Sequence, residues 1–133
     1  MISEEVRVDT SGDQIIDLTG EMRSFCSGRG DGLALATLPH ATAALVLMEL
    51  GSGSETDLLR WLGETLPRDA SYQHHHGSRG HGADHLVPAL LGAGVTLPVV
   101  NGEPQLGTWQ RLALVDTNRD NSVRLVRLTF IPG

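Results

Sequence analysis

From Ile2 to Asp9 the chain alternates, with Val6 and Val8 set against Glu5, Arg7 and Asp9. That is the period of a half-buried strand. A polar turn at Ser11-Gly12-Asp13 leads into Gln14–Asp17, which reads as the hairpin partner of that strand. Leu18, Met22, Phe25 and Cys26 then recur at helical spacing behind Thr19, a suitable cap, and the helix should stop at Gly28. Gly32–Pro39 and His40–Leu50 read as strands. The second, HATAALVLMEL, is apolar on both faces, as a central buried strand would be. After a GSGS link, Ser54 offers an N-cap with Asp57 three residues on, and Leu58, Leu62 and Leu66 line one face of a helix that Pro67 ends. His85–Leu91 reads as a short helical turn closed by Gly92. Val95–Val100, Trp109–Asp116 and Val123–Ile131 read as strands, Thr117–Asn121 as a hairpin connection, and Trp109 as a core residue. The order predicts one α+β domain over residues 1–133, with a mainly antiparallel sheet and two main helices.

Charge and composition narrow the function. The net charge is −6 and no basic residues cluster in sequence, so phosphate-backbone binding to nucleic acid is not expected. No apolar run approaches the roughly 18–20 residues of a membrane span. The N-terminus, MISEEVRVDT, lacks the apolar stretch of a signal peptide. Cys26 is the single cysteine; it permits no internal disulfide and reads as a small core hydrophobe of a cytoplasmic protein. The chain has no lysine, which removes Schiff-base chemistry and a Walker lysine. An anionic substrate must be held by arginine, histidine, backbone amides or a metal.

Five of the six histidines, His74, His75, His76, His81 and His85, fall within YQHHHGSRGHGADH. Imidazole is the commonest metal ligand and the usual acid–base group near neutrality. His40, opening the apolar strand, can join His74 and His85 in a three-imidazole site with an open coordination position, as in catalytic zinc centres. Taken alone, the spacing equally suits a solvated, weakly metal-binding loop. Glu49 ends the apolar strand, either exposed or aimed into a site. Tyr72 can orient a histidine, bind substrate or pack. Thr108 and Gln110, at a strand start, are suited to hydrogen-bonding a ligand. Arg124 and Arg127 fall on opposite faces of the last strand, so that one can face a site. Asp116-x-Asn118-x-Asp120 begins like a calcium loop but has Asn121 where glycine is needed and Arg127 where the bidentate glutamate belongs. A structural zinc clasp would call for Cys26, which is distant in sequence.

HATAALVLME, Tyr72-x-His74, Ala83-Asp84-His85-Leu86 and LLGAGVTLPVVNGEPQLGTWQ together resemble the YjbQ-like family, described as secondary thiamine-phosphate synthases. The resemblance implies a compact α+β fold assembled as a homotrimer. It carries the recurring histidines onto His40, His74 and His85 as metal ligands and the acidic strand-end residue onto Glu49. It demotes His75 and His76. Position 41 departs from the pattern, with Ala41 where threonine is common, and His81 stands near where many members have asparagine. On this resemblance His74, His85 and Glu49 are the catalytic residues, with Thr108, Gln110, Tyr72 and Arg124 on a small phosphorylated substrate. The implied reaction joins a pyrimidine pyrophosphate to a thiazole phosphate and releases pyrophosphate, as a side activity beside a different native one. Such chemistry calls for a divalent metal, zinc if imidazoles bind it or magnesium if phosphate oxygens do. Alternatively the histidines bind phosphate directly, with Arg124 assisting. The rival reading is a non-catalytic trimeric module that binds a small anion or a metal.

Overall fold

The computed structural model describes residues 1–133. In chain order its elements are β1 (Ile2–Asp9), β2 (Ile15–Asp17), α1 (Thr19–Cys26), β3 (Gly32–Thr37), β4 (Ala44–Met48), α2 (Ser54–Thr65), α3 (His81–Leu91), β5 (Gly94–Val100), β6 (Glu103–Pro104), β7 (Arg111–Val115) and β8 (Val123–Pro132). The strands form a five-stranded sheet, ordered β1-β8-β3-β5-β6, and a three-stranded sheet, ordered β2-β7-β4. All pairings are antiparallel. The α+β class and the antiparallel sheets match the sequence reading, with a third helix added. No helix is long and apolar enough to cross a membrane.

The main core lies between the sheets and α1. Val8, Ala34, Leu97, Val126, Leu128 and Phe130 of the larger sheet meet Leu45, Leu112 and Leu114 of the smaller one, with Met22, Phe25 and Cys26 of α1. A second cluster covers the opposite face of the small sheet: Ala44 and Val115 pack with Leu62 of α2 and Val87 of α3. These two layers explain the continuous apolar run in β4, whose pattern is set by burial on both faces. β4 is nevertheless an edge strand, because β7 holds the centre of the small sheet.

Four expectations are corrected. β2 pairs with β7, Ile15 opposite Val115, and not with β1, because its apolar residues serve the smaller sheet. Residues 40–43 are not strand. Thr19 does not cap α1; its hydroxyl accepts the backbone N–H of Leu112 and ties the helix to β7. The Thr117–Asn121 segment joins strands of different sheets and is not a hairpin connection.

That crossing is built around a buried ion pair. Arg124 donates through Nε to Asp116 Oδ2 at 2.8 Å and through a terminal nitrogen to Oδ1 at 2.9 Å. Thr10 Oγ1 donates to the same carboxylate at 2.7 Å, and Arg124 also reaches Thr42 Oγ1 at 2.9 Å. Both charged side chains are 1% exposed. The pair therefore stands on its hydrogen bonds, the condition for tolerating charge in a dry interior. Arg127, on the other face, lies at the surface against Glu5.

Candidate metal centre

α3 starts at His81, one turn earlier than the sequence pattern suggests, behind Gly80 at φ +84°. His81 and His85 are then four residues apart, on one face of the helix. Their Nε2 atoms face each other at 3.2 Å. His74 comes from the preceding loop, its ring centroid 4.1 Å from that of His85 and 5.2 Å from that of His81. One nitrogen from each of His74, His81 and His85 lies within 4.8 Å of the other two. Tetrahedral zinc with nitrogen ligands at about 2.0–2.1 Å separates those nitrogens by roughly 3.4 Å. The His81–His85 pair already has that spacing, and His74 completes an open triangle.

Two further observations fit a cation. Nε2 of His74 is buried and has no hydrogen-bond partner, a condition folded proteins rarely leave unanswered. Burial first, then the surrounding imidazoles, hold the His74 pKa below its ordinary value. It stays in the neutral form that a metal requires. Behind His81, Asp120 Oδ2 lies 2.8 Å from Nδ1. A carboxylate in that place fixes the Nδ1–H tautomer and directs the Nε2 lone pair outward, as in carboxylate–histidine–metal arrangements. The Ser78 backbone N–H, the first cause, keeps the Asp120 pKa below the usual carboxylate range.

Asp84 anchors this face of α3. Its side chain is fully buried and binds Arg68 at 2.6 Å. It accepts the Thr117 hydroxyl at 2.7 Å and the Asn118 amide at 3.1 Å. Asn118 Oδ1 accepts the backbone N–H of Asp120, the residue behind His81, at 2.9 Å, and the Asn118 backbone N–H donates to Asp116. One polar chain thus runs from the buried Arg124–Asp116 pair to the histidines.

Glycine at 82 lets the histidine loop lie directly on the helix. A Cβ there would fall 2.5 Å from the His74 carbonyl oxygen and 2.7 Å from Tyr72 Cβ. Gly82→Ala must therefore displace the segment that delivers His74. We expect zinc affinity to drop by roughly 10–100-fold, the range seen when support of a ligand is lost. A zinc titration that returns an unchanged affinity would show that the loop position does not matter.

A family model described as UPF0047 protein YjbQ-like matches residues 4–133. The chain belongs to this family. It is 50% identical over 133 residues to UPF0047 protein Rv2556c of Mycobacterium tuberculosis, covering all of both chains. It is 34% identical over 104 residues to UPF0047 protein YugU of Bacillus subtilis, covering 76% of this chain and 77% of that one. The crystal structure of a YbjQ-like protein of unknown function from Sulfolobus solfataricus superposes with a TM-score of 0.90 at 27% identity, covering 99% and 97% of the two chains. A YjbQ/UPF0047 protein of Clostridium acetobutylicum gives 0.85 at 28%, covering 96% and 99%.

Within this YjbQ-like chain the expected site residues divide. His74 and His85 converge. His40 does not join them: its Nε2 accepts the Leu125 backbone N–H at 2.9 Å. Burial and then Arg124 lower the His40 pKa, against the pull of Asp116. His81 takes the third place. Tyr72 lines the same cavity, of about 290 Å³, but its hydroxyl donates to the Pro67 carbonyl. Arg124 is sealed in its pair with Asp116 and reaches no ligand. Glu49, Thr108 and Gln110 are exposed, and Gln110 Oε1 accepts the Gly107 N–H. These three flank the end of the small sheet where Met48 pairs with Arg111. The histidine contacts follow the other end of β7, about 15 Å away at strand rise. Trp109, expected in the core, is 73% exposed beyond that first end. Sequence reasoning missed His81, Asp120, Asn118 and Asp84; the legible signal was His81-x-x-x-His85, ligand spacing on a helix.

Proposed function

We propose that this YjbQ-like protein is a cytoplasmic, metal-assisted enzyme acting on a small phosphorylated substrate, with His74, His81 and His85 as its metal ligands. The observation that carries the reading is the convergence of these imidazoles, with His74 Nε2 unpartnered and His81 backed by Asp120. Three nitrogen donors suit zinc or a neighbouring transition metal better than magnesium, which prefers oxygen. What a bound divalent ion supplies is Lewis acidity toward a phosphoryl oxygen and compensation of charge on a leaving phosphate. The protein's own part is to hold His74 neutral, fix the His81 tautomer and shape the polar cavity lined by Tyr72, Ser78 and Arg79.

For the reaction we propose the family's secondary thiamine-phosphate synthase activity, the joining of a pyrimidine pyrophosphate to a thiazole phosphate, as an activity other than the native one. We further propose a homotrimer in which Glu49, Thr108 and Gln110 of one copy approach the histidines of another. Their exposure at the far end of the small sheet supports this arrangement, and it would return Glu49 to a catalytic role.

The test is elemental analysis of purified protein with its mass in solution, followed by product formation from the two phosphorylated substrates with and without zinc. One zinc per chain, a trimer mass and zinc-dependent product are expected. Zinc binding without turnover would leave the rival reading, a module that binds a metal or small anion. Absence of zinc binding would overturn the metal site.

A further inference from the structure

Three arginines come together beside the histidine cavity. Arg68, Arg79 and Arg119, with Asp69, line a concavity of about 200 Å³ that holds no apolar residue. It adjoins the histidine cavity, which shares Arg68, Asp69 and Arg79. The chain carries ten cations and a net charge of −6, so three guanidiniums around one small space is a concentration of like charge that a counter-ion would relieve.

The three differ in how they are held. Arg68 forms the fixed floor: it binds buried Asp84 through both terminal nitrogens and reaches the carbonyls of Thr117 and Arg79. Arg79 is 79% exposed, and its carboxylate neighbour Asp69 stands 4.0 Å away, too far for a hydrogen bond. Arg119 is exposed and has no carboxylate within 4.0 Å, unlike seven of the ten arginines. Asp120, its neighbour in sequence, is engaged by His81 and Ser78. Two guanidinium forks are therefore available above a rigid third.

We propose that Arg79 and Arg119, over Arg68, form an anion subsite that takes the phosphoryl or diphosphoryl group of the substrate next to the histidine triad. Guanidinium forks match the several oxygens of a phosphate bidentately, and the space fits one or two phosphoryl groups. An incoming anion would displace Asp69 from Arg79. The subsite rests on the proposed function for the identity of the rest of the ligand, but its residues are distinct from the metal ligands and are tested separately.

The experiment is calorimetric titration of the full chain with inorganic pyrophosphate, zinc content being measured before and after. Saturable binding is expected, weakened at least about tenfold in the double variant Arg79→Gln/Arg119→Gln, as loss of charge-assisted hydrogen bonds predicts. Zinc content should be unchanged in that variant. Arg7 and Arg23, which are exposed and have no carboxylate partner, provide the control: Arg7→Gln/Arg23→Gln alters total charge equally and should keep affinity within about twofold. No saturable binding by the unmodified chain, equal affinity in the Arg79/Arg119 variant, or equal loss in the control would each overturn the subsite. Pyrophosphate binding that needs Arg79 and Arg119 in a protein unable to bind zinc would uphold the subsite while removing the metal reading.

Discussion

His74→Ala is expected to lower zinc affinity by more than about 100-fold and to abolish metal-dependent turnover, while leaving the melting temperature of the metal-free protein nearly unchanged. Removing a supporting residue behind a ligand typically costs 10–100-fold in affinity; removing a ligand from a three-imidazole site should cost more. The stability side follows from where His74 sits. It belongs to a loop outside both hydrophobic clusters, and its buried Nε2 has no partner to lose. Without metal, the alanine variant sheds an unanswered polar atom and two crowded imidazole neighbours. His75 is the matched control. It is exposed, and its Nδ1 lies 2.7 Å from the Gln73 carbonyl oxygen, so His75→Ala should bind zinc like the unmodified chain. Equal zinc affinity in the two variants would remove His74 from the site.

The second large effect is structural. Asp116→Ala should destabilise the protein by about 3–5 kcal/mol, the usual result of leaving one member of a buried ion pair alone. Arg124 would lose both bonds to carboxylate oxygens while still buried, and Thr10 and the Asn118 backbone N–H would lose their acceptor. Urea unfolding with an unchanged slope measures it. The variant Asp116→Ala/Arg124→Met should recover part of the loss, because the cost lies mainly in the stranded guanidinium and not in the absent attraction. A single-variant cost below about 1 kcal/mol would mean that water or another acceptor reaches Arg124. Zinc affinity should change far less than in His74→Ala, since Asp116 acts on His81 only through Asn118 and Asp120 still contacts the imidazole.

Periodicity reported faces well and partners poorly. The alternation in β1 and the Leu58–Leu62–Leu66 stripe of α2 both name a buried side, and both elements formed there. Within the expected Gln14–Asp17 strand, residues Ile15–Asp17 form one, yet adjacency in sequence suggests pairing with β1 when the partner is β7. HATAALVLMEL was apolar on both faces for a reason that a one-dimensional pattern cannot distinguish: two layers covering an edge strand resemble burial at a sheet's centre. Trp109 shows the converse. Its size suggests a core, but LGTWQ runs past the end of the sheet, and the fold leaves the indole exposed.

The histidine site was half written in the chain. Local concentration of imidazoles in a glycine-rich segment pointed to His74 and His85, because ligand type and sequence proximity are properties of the chain itself. His81 was obscured because Gly80-His81-Gly82 has loop composition. The helix starts there through tertiary contacts, above all the buried Asp84 with Arg68, Thr117 and Asn118. The 116–120 segment resembled a failed calcium loop, and only the meeting of the β7–β8 crossing with α3 turned Asp120 toward an imidazole. Ligand chemistry and apolar period are local and could be read from residue order. Which distant carboxylate stands behind which histidine depends on how two sheets and three helices close on one another, and that was settled only by packing.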